Sequence, residues 1–162
     1  MNLSHYTAAD KPLALRADHP YSQFKRDRAI HMKPCGLWVS VDGDYDWVEW
    51  CTRKQWLPRN LARRYRIFLR PEGEVLVLST PEDIIEFTRE YRTDDWRTDS
   101  LQWDLVRSRH GGLIITPFQW NLRLCTECSW YYSWDCTSGC IWDVGEIERY
   151  EEDMNWRYCK GG

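Results

Sequence analysis

The apolar runs of this chain are short, and their order limits the fold more than any other feature. LSHYTA, CGLWVSVDG, YRIFLR, EVLVLS, GLIITPF and GCIWDV are all strand-length, and most end at glycine, proline or charge. Between them lie three segments with helical periodicity. The predicted order is strand, strand, helix, hairpin, helix, helix, strand, strand. Strands and helices do not alternate regularly, so the chain reads as α+β rather than as a doubly wound α/β protein.

The helices are expected at 46–56, 80–91 and 100–109. In the first, Trp47, Trp50 and Cys51 fall on one face at i, i+3, i+4 spacing. The second has the strongest signals. Ser79 or Thr80 can cap it, Pro81 suits its first turn, and Glu82 and Asp83 complement the positive end of its dipole. Ile84, Phe87 and Tyr91 then share a face. The third is stopped by Gly111-Gly112. YRIFLRPEGEVLVLS reads as a β-hairpin turning at Pro-Glu-Gly-Glu. Residues 9–34 read as a long loop with one helical turn. The charged tail from Glu146 reads as helical or frayed.

A length of 162 residues suits one domain with a real core. Net charge of −3 argues against generic binding of duplex DNA, although TRKQWLPRNLARRYR concentrates basic residues locally. The N-terminus lacks a basic-then-apolar signal pattern, and no apolar run approaches membrane-spanning length, so a cytoplasmic protein is expected. Seven cysteines then read as thiols or metal ligands. Eleven tryptophans supply large flat apolar faces for a core, a stacking site or an interface.

The stretch YYSWDCTSGCIWD, residues 131–143, admits three readings: a zinc knuckle, a core strand, or the floor of a site, in which a kink at Ser138-Gly139 would open the strand end and leave Asp135 facing His5 and Trp38. Cys125-x2-Cys128 and Cys136-x3-Cys140 could supply four thiolates. The gap between the pairs is short and aromatic, however, and Cys140 lies within an apolar strand. Buried thiols without stoichiometric zinc are therefore expected. His5, His19, His31 and His110 have no metal-ligand spacing, and no Gly-rich phosphate loop is present.

Taken in order, the segments resemble the ADP-ribosyltransferase fold. LSHYT resembles that family's first strand, with its histidine and following hydroxyl residue. GLWVSVDGDYDW resembles the second, an aromatic-x-Ser strand leading into a helix. SRHGGLIITP and SGCIWDVGEIE resemble the last two core strands. KPCGLWVS and WDCTSGCIW also resemble small bacteriophage proteins of unknown function.

The family resemblance implies a split two-sheet sandwich with peripheral helices, holding NAD in the cleft between the sheets. It implies His5 donating a hydrogen bond to a ribose hydroxyl of the adenosine half, with Tyr6 beside it in the cofactor-binding set. Trp38 or Trp47 would stack on the nicotinamide ring, and Ser40 would bond the nicotinamide end. The family places a glutamate at the start of its last catalytic strand. Here that position reads Thr137-Ser138-Gly139, and the nearest acid is Asp135. Asp135 is thus the candidate carboxylate facing an oxocarbenium-like transition state, as in glycoside cleavage. Three functions follow: transfer of ADP-ribose from NAD to a macromolecule or to water, non-catalytic binding of a nucleotide or host protein, or a zinc-supported interaction module.

Overall fold

A computed structural model describes residues 1–15, 33–56, 58–93 and 101–158. His19, His31 and most of the expected 9–34 loop lie outside the described residues. The protein is mixed α+β, and the described residues form seven strands and three α-helices in the order β1 (Leu3–Thr7), β2 (Leu37–Val41), α1 (Trp47–Lys54), β3 (Arg63–Leu69), β4 (Val75–Leu78), α2 (Pro81–Tyr91), α3 (Trp103–Arg109), β5 (Gly112–Ile115), β6 (Ser138–Ile141) and β7 (Ile147–Glu152).

The helices form where the sequence signals them, for the expected reasons. In α2 the Thr80 hydroxyl accepts from the Asp83 N–H, while the Asp83 carboxylate accepts from the Thr80 N–H, a complete capping box behind Pro81. Ile84, Phe87, Thr88 and Tyr91 are its buried face. In α1 Asp46 caps the Glu49 N–H at 2.9 Å, and Gln55 ends the helix in a left-handed conformation at φ 51°.

All seven strands join in one hydrogen-bonded sheet, ordered β4-β5-β6-β2-β1-β3-β7, where two sheets had been expected. Among the described residues the only parallel pair is β4 with β5, connected through α2 and α3. The central joint is weak. β1 pairs with β3 at five positions and β2 with β6 at four, but β1 pairs with β2 only at Leu3↔Val41 and Ser4↔Ser40. The sheet therefore has two wings, β4-β5-β6-β2 and β1-β3-β7, hinged on two residue pairs.

The expected hairpin does not form. β3 and β4 are strands, but four other strands stand between them in the sheet. In a flat sheet that separation is about 24 Å, at roughly 4.8 Å per strand. The link from Leu69 to Val75 could reach only about 20 Å fully extended, and it contains a turn closed by the Gly73 N–H on the Arg70 carbonyl at 3.1 Å. The sheet must curl to bring these ends together. One apolar cluster accordingly holds Tyr65, Ile67 and Ile147 from one wing with Val39, Ile114 and Ile141 from the other. The second cluster, on the helical side, contains Trp103, Trp130, Trp134 and Trp142.

Glu146 clasps the closure. Its carboxylate accepts from the Glu74 N–H at 2.9 Å, and its carbonyl accepts from the Arg70 N–H at 2.9 Å. A Cβ on Gly73 or Gly111 would lie within 2.3 Å of the Glu146 side chain, so a larger residue at either position would have to push Glu146 out of the clasp. The tail after Glu146 is the edge strand β7, not a helix. Only Ile147 of β7 is buried, and its charged residues face solvent or flank β3, as with Arg149 over the Phe68 ring at 3.7 Å. Such charge protects a sheet edge from pairing with other chains.

Replacing Glu146 by alanine should orphan the Glu74 N–H and empty the space between the two glycines, lowering stability by about 1–3 kcal/mol. Urea unfolding measures this. A change below about 0.5 kcal/mol, the range of ordinary surface substitutions, would show that the clasp is not needed.

Candidate functional site

The hinge between the wings opens into a cavity. Backbone alternation aims the Val41 N–H at the Thr137 carbonyl towards β6, and the Asp42 N–H at the Asn2 carbonyl beyond β1. The carbonyl of Trp38, four residues before Asp42, faces the β1 side by the same alternation. No β1 backbone group meets it, because the ladder has ended at Ser4. Instead the His5 ring donates from Nδ1–H to the Trp38 carbonyl at 2.7 Å. A side chain thus bridges the strands where backbone pairing stops.

The cavity beyond this bridge has a volume of about 300 Å³. Its lining includes His5 and Tyr6 from β1, Trp38 and Ser40 from β2, Trp47 from α1, and Asp135 from the segment entering β6. These are the six residues singled out from the sequence, and the structure brings them all to one cavity. Ser4, Lys33, Asn60, Cys136 and Ser138 also line it and were missed. Lys33 and Asn60 sit in segments with no strand or helix periodicity to mark a direction. Cys136 and Ser138 were read only as a possible ligand and part of a kink.

Burial holds the His5 pKa below its ordinary value, against the opposing effect of its bond to Trp38. At neutral pH the ring is uncharged and Nδ1 carries the proton, so Nε2 is an acceptor. The expected role as a donor is corrected accordingly: a ligand hydroxyl would donate to His5. Tyr6 has its pKa raised by burial and stays a neutral phenol, packed against Trp156 at 5.4 Å. Ser40 is buried, and its Oγ accepts from the Trp47 N–H at 2.9 Å. That bond seats the first residue of α1 against the sheet and leaves the Ser40 hydroxyl hydrogen free to donate. Trp47 stacks on Trp50 at 5.0 Å and 10°, and Trp38 packs against Trp134 at 4.7 Å, so each indole has one side occupied by protein.

Asp135 forms an ion pair with Lys33 at 2.7 Å, and the Lys33 ammonium lies 5.2 Å from the centre of the Trp38 ring. The flanking residues, Trp134 and Cys136, are buried. The 131–143 stretch is therefore core and cavity wall at once: Trp134 and residues 136–142 are buried while Asp135 lines the cavity. Gly139 does not kink it. Gly139 is regular strand, paired with Val39 and Ile114, and a Cβ there would lie 2.5 Å from the Ile114 side chain.

The cysteines do not form a four-thiolate site. The Cys128 thiol accepts from the Thr88 hydroxyl at 3.5 Å, Cys136 lines the cavity, and Cys140 is buried at 3.7 Å from the Pro34 carbonyl. Among the described residues, no three His, Cys, Asp or Glu side chains are grouped to hold a metal ion. Burial pushes the Cys136 thiol up to about 12, so it is not a thiolate nucleophile at neutral pH. No described helix is long and apolar enough to cross a membrane.

No protein-family model, curated protein or solved structure matches this chain.

The lowered His5 pKa makes a signed prediction. The unfolded chain takes up the His5 proton near pH 6.5, while the folded chain resists it. Stability from His5 is complete above that pH and is lost as pH falls towards the lower, folded value. The melting temperature of the parent should therefore fall more between pH 7.5 and 5.5 than that of His5→Gln, whose amide can still donate to Trp38. Parallel pH profiles would rule this out.

Proposed function

We propose that this chain is an ADP-ribosyltransferase-like protein that takes the nicotinamide riboside half of NAD into the cavity at the hinge and breaks the bond between ring and sugar. One observation carries the reading. Six residues chosen for this chemistry, from segments as far apart as 5 and 135, line a single cavity. The two-winged sheet with a cavity at its joint suits the split-sandwich type the resemblance implies. A cavity of about 300 Å³ lies at the lower limit for small-molecule sites, so the adenosine half would lie outside it.

Each group has a definite task in that reaction. The nicotinamide ring is cationic in NAD, so the open side of Trp38 attracts it by stacking and by cation–π interaction. His5 Nε2 accepts from a ribose hydroxyl and Ser40 donates to the carboxamide. As the C–N bond breaks, its electron pair leaves with the ring nitrogen, and nicotinamide departs neutral. Positive charge moves to the sugar, where the Asp135 carboxylate stabilises it without taking a proton. The acceptor, a macromolecular nucleophile or water, then bonds to the sugar carbon and gives up its proton to solvent.

A second reading has its own support. Asp135 is already neutralised by Lys33, and Ser138, at the start of β6, carries no charge and donates back to the Cys136 carbonyl at 2.9 Å. Both features suit a nucleotide- or host-protein-binding protein of the same type that does not cleave NAD.

Nicotinamide release from NAD by the purified protein separates the two. In the catalytic case, Asp135→Asn should lower turnover by about a hundredfold while the melting temperature stays nearly constant, because the half-exposed ion pair contributes little to stability. A variant as fast as its parent would end the catalytic reading. A parent that binds NAD without releasing nicotinamide would establish the binding reading instead.

A further inference from the structure

Lys33 occupies the position that a cationic ligand ring would need. Trp134 packs against Trp38 from within the protein, and the Lys33 ammonium stands 5.2 Å from the Trp38 ring centre. The same ammonium lies 2.7 Å from Asp135. A cationic ring and the Lys33 ammonium would compete for one indole and one carboxylate, so binding must break the ion pair. We infer that Lys33 makes this cavity select pyridinium nucleotides that carry a diphosphate over the same ring without one. The inference rests on the NAD reading of the site.

Binding then becomes an exchange of partners. The Lys33 and Asp135 side chains are 39% and 28% exposed, so the ammonium can swing away without being stranded in an apolar interior. A displaced ammonium needs another anion. The diphosphate of a dinucleotide follows directly from the ribose and supplies that anion just outside the cavity. Lysine binds phosphate as a flexible point charge, which suits such a movement. The exchange also uncovers Asp135 only when a diphosphate-bearing ligand has bound. N-methylnicotinamide and nicotinamide riboside carry the ring but no phosphate, so they leave the displaced ammonium unpaired.

The test compares two probes on the full chain, by quenching of tryptophan fluorescence and by calorimetry: N-methylnicotinamide, and carba-NAD, whose ring-to-sugar bond does not hydrolyse. Lys33→Met removes the competing cation but keeps the apolar stem. It should bind N-methylnicotinamide about three- to fivefold more tightly and carba-NAD about three- to fivefold more weakly, so the ratio of affinities shrinks roughly tenfold. Lys33→Arg keeps the charge and should stay near the parental ratio, which separates charge from a packing defect. If both probes bind the parent and Lys33→Met leaves the ratio unchanged, or shifts both affinities the same way, the inference about Lys33 fails while the nucleotide site stands. If neither probe binds the parent or the variant, the nucleotide reading fails with it.

Discussion

The link from β3 to β4 is too short for a flat sheet, and the rest of the architecture depends on that shortfall. Residues 70–74 join strands that four others separate, so the sheet has to bend until the ends meet. Bending concentrates at the weakest joint, the two residue pairs between β1 and β2. The wings then close on each other, burying aliphatic side chains from both in one cluster. Glu146 satisfies the polar backbone where the ends converge, at a point where buried donors left unpaired would be costly.

A sheet that bends at one joint must lose backbone pairing there, and the cavity occupies the resulting gap. The His5–Trp38 bond limits the loss, because an imidazole reaches a carbonyl that the β1 backbone has left behind. Burial, against the opposing effect of that bond, keeps His5 uncharged near neutrality, and the bond fixes the direction of its lone pair. Burial and one hydrogen bond thus turn an ordinary strand histidine into a neutral acceptor. The tryptophans take up the load on the other side of the sheet. Trp103, Trp130 and Trp134 meet edge to face at centroid distances of 5.9 Å, giving the small helices a rigid base. Against that base Trp38 and Trp47 each present one side to the cavity.

Charge within the cavity centres on the pair formed by Asp135 and Lys33. Asp135 is held by neighbours that are wholly buried, while its partner Lys33 comes from outside any regular element. The fixed member of the pair is the acid and the adjustable member is the base. On the proposed reading, a ligand cation replaces Lys33 without disturbing the core behind Asp135.

By itself the sequence determined every strand and helix that rests on local chemistry. The Thr80–Asp83 box, Pro81 and the Ile84, Phe87, Tyr91 spacing specify α2 with no help from the rest of the chain. His5, Trp38, Ser40 and Asp135 could be grouped from the sequence because each belongs to a short ordered motif, and they line one cavity. Strand pairing was not legible, because a turn such as Pro-Glu-Gly-Glu closes a hairpin or a crossing link equally well, and only distant partners decide between them. The tail was misread for a related reason. IERYEE has one buried residue, so alternation is absent, and it becomes a strand only because β3 offers a free edge. Lys33 and the Glu146 clasp were beyond reach for the same cause. Their roles come from residues about a hundred and about seventy positions away, respectively, and contacts at that separation are set by how the sheet closes, which no local pattern encodes.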